Sequence, residues 1–189
     1  MFSRMVFAMQ TDWTWKDLFD EHFWKEVWRR FSRSFRMVLR LTIFFVVIHQ
    51  FFLFGIIPSE SMYPTLQVKD FVLYKKTSAI ERGDIVLFRH PLNEEEIMVK
   101  RAIGLPGDTV EIKDGHIYVN DEVWKADYVQ AKPMFEYEKA TVPDNHYFVL
   151  GDNINASEDS VSFGFVKQEN IMGKAVAILL PFQRFHIFP

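Results

Sequence analysis

Residues 97–121 read "IMVKRAIGLPGDTVEIKDGHIYVND". The stretch settles the fold class. From Thr109 to Asn120, apolar and polar side chains alternate on both sides of an Asp114-Gly115 pair, the period of a half-buried strand rather than a helix. An Asp-Gly pair between two alternating runs is a hairpin turn. Upstream, Gly104-Leu105-Pro106-Gly107-Asp108 is a second sharp turn, so the run ending at Ile103 is a strand that stops abruptly. Outward in both directions the same signature recurs in "DFVLYKK", "GDIVLFRH", "HYFVLGD" and "GKAVAILLPF", which are β-branched or aromatic runs bounded by Gly, Pro, Asn and Asp. A mainly β domain over 58–189 is the expectation. Its least regular interval, Lys125 to Pro143, reads as a surface excursion or small cap.

Before this domain the chain changes character. Leu41 to Ile57, "LTIFFVVIHQFFLFGII", carries no charged side chain. Extended back to Met37 it reaches the roughly 20 residues a helix needs to cross a bilayer, so 37–57 is expected to be a transmembrane helix, with a buried core helix as the alternative. Arg29, Arg30, Arg33, Arg36 and Arg40 precede it, which directs the N-terminus to the cytoplasm and the β domain to the outer side. The apolar run is longer than a cleaved leader's and is expected to stay attached. Over 1–36, Trp15, Leu18, Phe19, Phe23, Val27 and Phe31 recur at helical spacings, the pattern of an amphipathic helix lying at a membrane surface or docking a partner.

Bulk composition removes several functions. In 189 residues the formal charge is −3 and the pI about 6.1, which gives no basic face for nucleic acid. There is no cysteine, hence no thiolate nucleophile and no Cys-based metal site. His49, His90, His116, His146 and His186 stand singly, without metal-ligand spacing. Neither metal nor cofactor is called for.

Three stretches carry chemistry. The first, Ile56 to Leu66, "IIPSESMYPTL", follows directly on the apolar run and sets Ser59, Glu60 and Ser61 between Pro58 and Pro64. In the second, strand alternation gives Lys100 the apolar neighbours Met98 and Ala102 on its own face. Desolvation would favour its neutral amine, a general base that can take a serine's proton; the plain alternative is an edge lysine in water. Arg101, on the other face, stays protonated and cannot serve as base. The third, Gly151 to Ser160, "GDNINASEDS", supplies side-chain oxygens that can brace a turn or orient a lysine, and it contains a formal glycosylation sequon, Asn155-Ala156-Ser157.

The ordered set "PSESMYPTL", "RGDIVLF", "VKRAIGLPGD" and "GDNINASEDS" behind an apolar segment resembles the type I signal peptidases, from about residue 37 to the end. The resemblance implies a mainly β catalytic domain on the outer face of the plasma membrane, using a Ser-Lys dyad to remove signal peptides after Ala-x-Ala patterns. Its partners would be signal peptides of exported preproteins, the lipid bilayer and the secretion translocon. By the same resemblance Ser61 falls on the nucleophile, Lys100 on the general base and Ser59 on the oxyanion helper. Ser157 falls on the serine that holds the lysine amine, and Asp152, Asp159 and Ser160 on supporting positions. Ile57, Pro58, Met62, Leu66 and Val99 are expected to wall the substrate site. Where the family commonly has arginines this chain has Ile154 and Val161, which removes an ion-pair brace of Asp159. Two rivals share parts of the pattern: a catalytically silent, membrane-tethered assembly factor or chaperone, and a self-cleaving repressor, which would need a DNA-binding helix-turn-helix.

Overall fold

A computed structural model of the chain describes residues 21–125, 128 and 131–189, with side chains from residue 24 onward. The chain divides into two units, Met1–Ile48 and His49–Pro189. Trp15, Leu18 and Phe19 of the expected amphipathic segment lie outside the described residues. In the first unit helix α1, which runs over Glu21–Phe51, continues without a break through the expected boundary at 36. Trp28, Phe31 and Phe35 follow one another along it, ring to ring at 5.8 and 6.2 Å, the contact that a spacing of three or four residues gives. From Met37 to Val47 its large apolar side chains are exposed.

The helix ends earlier than the sequence suggests. Phe52–Ile56 is a strand, β1, paired antiparallel with β2 (Phe71–Lys75) from Phe52 opposite Lys75 to Ile56 opposite Phe71. An apolar, aromatic run satisfies its backbone equally well in a helix or beside an open sheet edge, and here Leu53 packs on the core while Phe54 stacks on Phe71 at 5.7 Å. The expected span 37–57 is therefore corrected. Its helical part, Met37–Phe51, is about 22 Å long at 1.5 Å per residue, against about 30 Å of hydrocarbon. Among the described residues no helix is long and apolar enough to cross a membrane.

The second unit is mainly β, as the alternation predicts, and its strands form two antiparallel sheets. The remaining strands are β3 (Ile85–His90), β4 (Asn93–Gly104), β5 (Thr109–Lys113), β6 (His116–Val119), β7 (Glu122–Val123), β8 (Tyr137–Thr141), β9 (His146–Leu150), β10 (Val166–Lys167), β11 (Ile171–Leu180) and β12 (His186–Ile187), with one short helix, α2 (Ser160–Phe163). The larger sheet has the order β1-β2-β11-β3-β4-β9-β10, with β12 on β11; the smaller is β7-β6-β5-β8. The Asp114-Gly115 turn has positive φ at both residues, 52° and 72°, the hairpin geometry its sequence demands. β8 pairs with β5, so the far end of the irregular Lys125–Pro143 interval is a strand of the smaller sheet.

Three apolar clusters fill this unit. One, containing Met62, Leu66, Val72 and Tyr74, lies under the Ser59–Leu66 turn. A second joins Val110, Ile112, Ile117 and Val119 to Ile103, Phe148 and Ile154. The third, with Val86, Phe88, Ala102 and Val149, packs along β3, β4 and β9. β4 contributes to all three, and Lys100 sits midway along its inner half.

Candidate active site

The Ser59–Leu66 turn is held from below and at its base. Met62 and Leu66, four residues apart, are fully buried, and Leu66 N–H donates to Met62 O at 2.9 Å. Lys69 N–H donates to Ile57 O, and Ile57 N–H to Asp70 O, closing the loop where it leaves the sheet. Asp70 is buried, accepting from Gln67 N–H at 2.8 Å and from Arg184 at 2.9 Å. A flexible linker would have no such anchors. The polar residues between them, Ser59 and Glu60, are left facing outward with Ser61 half-buried.

Opposite Ser61 stands Lys100. Its Nζ lies 2.7 Å from Ser61 Oγ, across 39 residues of sequence, and only 3 % of the lysine is exposed. The edge-lysine alternative is excluded. Burial pushes the Lys100 ammonium below the ordinary lysine range, while Asp159, Glu158, Asp152 and Glu96 pull it the other way. Lys100 Nζ donates to Ser61 Oγ; a neutral amine would let the Ser61 hydroxyl donate to the nitrogen lone pair instead. Ser59 Oγ is 3.4 Å from Ser61 Oγ.

The Gly151–Ser160 loop closes over this pair. Asn153 N–H donates to Ser61 O at 3.0 Å, and its side-chain Nδ2 donates to Glu60 O at 3.2 Å. Asp159 caps α2 through Val161 N–H and also accepts from Gly151 N–H, both at 3.2 Å, and Ser160 Oγ accepts from Val149 N–H at 2.9 Å. Asp152 takes the guanidinium of Arg101 on both oxygens, at 2.8 and 2.5 Å. Arg101 also donates to Gly83 O and Thr65 Oγ1, so one buried cation ties the loop to the Ser59–Leu66 turn. Tyr128 lies over that guanidinium, 3.6 Å from its ring centroid.

Several expectations take a different form in three dimensions. Ser157 makes no hydrogen bond to Lys100: its hydroxyl is 3.5 Å from Glu158 O and also turns to Asp159. Ile57, Met62 and Leu66 lie in the core beneath the turn, because a turn of this length needs buried side chains to hold it; Pro58 is exposed and Val99 half-buried. Where the family commonly has arginines, Ile154 is 2 % exposed and Val161 packs against the same cluster, so apolar contact and two backbone N–H groups steady the loop that holds Asp159. The sequon's Asn155 is engaged on both sides, accepting from Met134 N–H at 2.9 Å and donating to Lys132 O at 3.0 Å.

Asn153, Thr65 and Tyr128 escaped the sequence reading. Asn153 stands in a quoted motif, but nothing local says which carbonyls its amide will reach. Thr65 and Tyr128 matter only because Arg101 comes to them.

An antiparallel β unit with a serine hydroxyl set on a buried lysine amine defines a site of the serine-lysine type. The family model for signal peptidase, peptidase S26, matches residues 29–180, and the chain belongs to that family. A probable signal peptidase I-2 of Synechocystis sp. is 42 % identical over 137 residues, covering 68 % of this chain and 63 % of that one. Signal peptidase I of Leptolyngbya laminosa is 39 % identical over 140 residues, covering 68 % of each. The chain thus spans about two thirds of the length of these relatives. A crystal structure of a signal peptidase I from Enterococcus faecalis V583 has 38 % identity, covers 50 % of this chain and 95 % of that one, and gives a TM-score of 0.44.

Proposed function

We propose that the chain is a signal peptidase I, a serine endopeptidase that removes N-terminal signal peptides from exported preproteins. The observation that carries the reading is the 2.7 Å approach of Lys100 Nζ to Ser61 Oγ in a setting that disfavours the ammonium. Ser61 attacks the scissile carbonyl while Lys100 takes its proton; the same nitrogen then protonates the leaving amine. Water, deprotonated by the regenerated amine, resolves the acyl-enzyme. Ser61 N–H and the Ser59 hydroxyl stabilise the oxyanion, each donor of this kind being worth about 3 kcal/mol in the transition state. The substrate adds as an extended strand against Pro58 and Val99, while Ile57, Met62 and Leu66 set the groove's depth from beneath and favour small residues of the Ala-x-Ala type.

The attachment follows the same reading. The exposed apolar half of α1 sits in the plasma membrane, its short length met by local thinning and by arginines that reach back to the head groups, with the N-terminus cytoplasmic and the β unit outside. Proteolysis of intact spheroplasts should digest the β unit and spare an N-terminal tag; digestion of the tag instead would reverse the orientation.

The enzymatic test is a panel of preproteins in detergent. The native protein should cut after small residues, and Ser61→Ala and Lys100→Ala should each abolish cutting while the β unit keeps its melting transition. Binding without cleavage by the native protein would identify the assembly-factor alternative. Undiminished cleavage by either variant would remove the dyad.

A further inference from the structure

A peptide group is planar, and when trans its C=O and N–H point in opposite directions. The carbonyl of Glu60 and the N–H of Ser61 belong to one such group. Whatever fixes the direction of Glu60 O therefore fixes the direction of Ser61 N–H. Glu60 O accepts two hydrogen bonds, from Tyr63 N–H within its own turn at 3.0 Å and from Asn153 Nδ2 across 93 residues at 3.2 Å. The next carbonyl, Ser61 O, accepts from Asn153 N–H at 3.0 Å. One residue thus holds the carbonyls on both sides of the nucleophile's backbone.

We infer that Asn153 is a positioning residue for the oxyanion donor: its amide, bonded to Glu60 O, aims the Ser61 N–H at the place where negative charge develops. The inference rests on the proteolytic reading above. It assigns Asn153 no contact with substrate and no proton to move. The neighbouring residues keep Asn153 itself in place: Asp152 is clamped by Arg101 on one side, and on the other the turn at Ile154–Ala156 is tied by Asn155 to Lys132 and Met134. The bond also withdraws electron density from the Glu60 carbonyl, which makes the Ser61 N–H a better donor.

The experiment compares Asn153→Ala and Asn153→Asp with the native protein on one preprotein. Both keep the backbone bond to Ser61 O and lose the donor to Glu60 O. Asn153→Ala should lower kcat about tenfold, the worth of one hydrogen bond, with KM unchanged. Asn153→Asp, which turns a carboxylate oxygen toward the carbonyl, should lose more. A peptide aldehyde, whose adduct carries the oxyanion, should bind Asn153→Ala about tenfold more weakly. An uncleavable peptide should bind it as tightly as it binds the native protein. Three results would overturn the inference: kcat within twofold of native, a KM effect alone, or an aldehyde and an uncleavable peptide weakened alike. A pH–rate limb displaced in Asn153→Ala would also overturn it, because the residue would then act through Lys100. If the native protein cuts no preprotein, the proteolytic reading falls and this inference with it; if it cuts and Asn153→Ala cuts as fast, the positioning role alone falls.

Discussion

Gly151→Ala is the smallest change that should disable the site. Gly151 needs no positive φ, so the effect is steric. A Cβ added there would lie 2.5 Å from Ser157 Cβ and 2.6 Å from Ser61 O, and closer still to Ser157 Oγ, where ordinary contact begins at 3.4 Å. Ser157 can rotate its hydroxyl away, but its Cβ and the Ser61 carbonyl, both fixed by the backbone, have no such escape. Ser61 O, or the loop against it, must retreat by about 0.8 Å, the difference between those distances. The retreat carries Ser61 off Lys100 and breaks the Asn153 strap. Displacements of about 1 Å in a catalytic group cost on the order of 100-fold in rate. Overpacking a buried site also costs about 1–3 kcal/mol of stability. Initial rates on a purified preprotein should therefore show kcat/KM down about 100-fold, while calorimetry records a folded domain with a modestly lower melting temperature. A Gly151→Ala enzyme within threefold of native would refute the close packing of the loop on the Ser59–Leu66 turn.

Other outcomes follow from the electrostatics. If Lys100 is the base, as proposed, its amine must be neutral to act; its folded value is lowered, so activity should rise with pH along a limb below the ordinary lysine range. Glu158→Gln removes an exposed charge that favours the ammonium, so the limb should move to lower pH, and a shift upward would contradict the assignment. The sign for stability is the same as for activity: between the folded and unfolded Lys100 values the unfolded chain binds more protons, so this group's contribution improves as pH rises and is lost below the folded value. A Lys100→Met protein should show a flatter rise in melting temperature over that window. Arg101→Leu leaves Asp152, 4 % exposed, without its partner and should cost about 3–5 kcal/mol in urea unfolding.

Much of this was visible in the chain itself. Period-two runs and the Asp114-Gly115 turn foretold a mainly β unit and its hairpin because strand faces are decided locally, by which side chains meet water. The apolar run from Leu41 was read as helix, which holds to Phe51, but its change to strand at Phe52 was not legible. Both states satisfy its backbone, and the choice at Phe52 rests on an edge of β2 that only the finished sheet presents. Ser61 and Lys100 were named through a resemblance. The outcome for Lys100 was open from its strand alone, since Met98 and Ala102 beside it do not say whether water reaches Nζ. Ile57, Met62 and Leu66 look like pocket walls in sequence, being apolar and next to the nucleophile. In three dimensions they are buried beneath the turn and hold it in place.

The adjacent residues Lys100 and Arg101 show how one strand sustains two cations of opposite fate. Both are nearly inaccessible, at 3 % and 7 % exposure. Arg101 meets the Asp152 carboxylate on both oxygens, which a guanidinium's fork suits. Among the described residues Lys100 meets no carboxylate within hydrogen-bond reach; its partner is a hydroxyl, and Asp159 turns its oxygens to the N–H groups of Gly151 and Val161. The acids around Lys100 act at a distance, and the nearby Arg101 offsets the field of Asp152. Burial then prevails, and the lysine can give up its proton beside a neighbour that cannot. The division depends on strand alternation sending the two side chains to opposite faces, so exchanging their identities would not exchange their roles: an arginine beside Ser61 would stay protonated and leave the hydroxyl without a base.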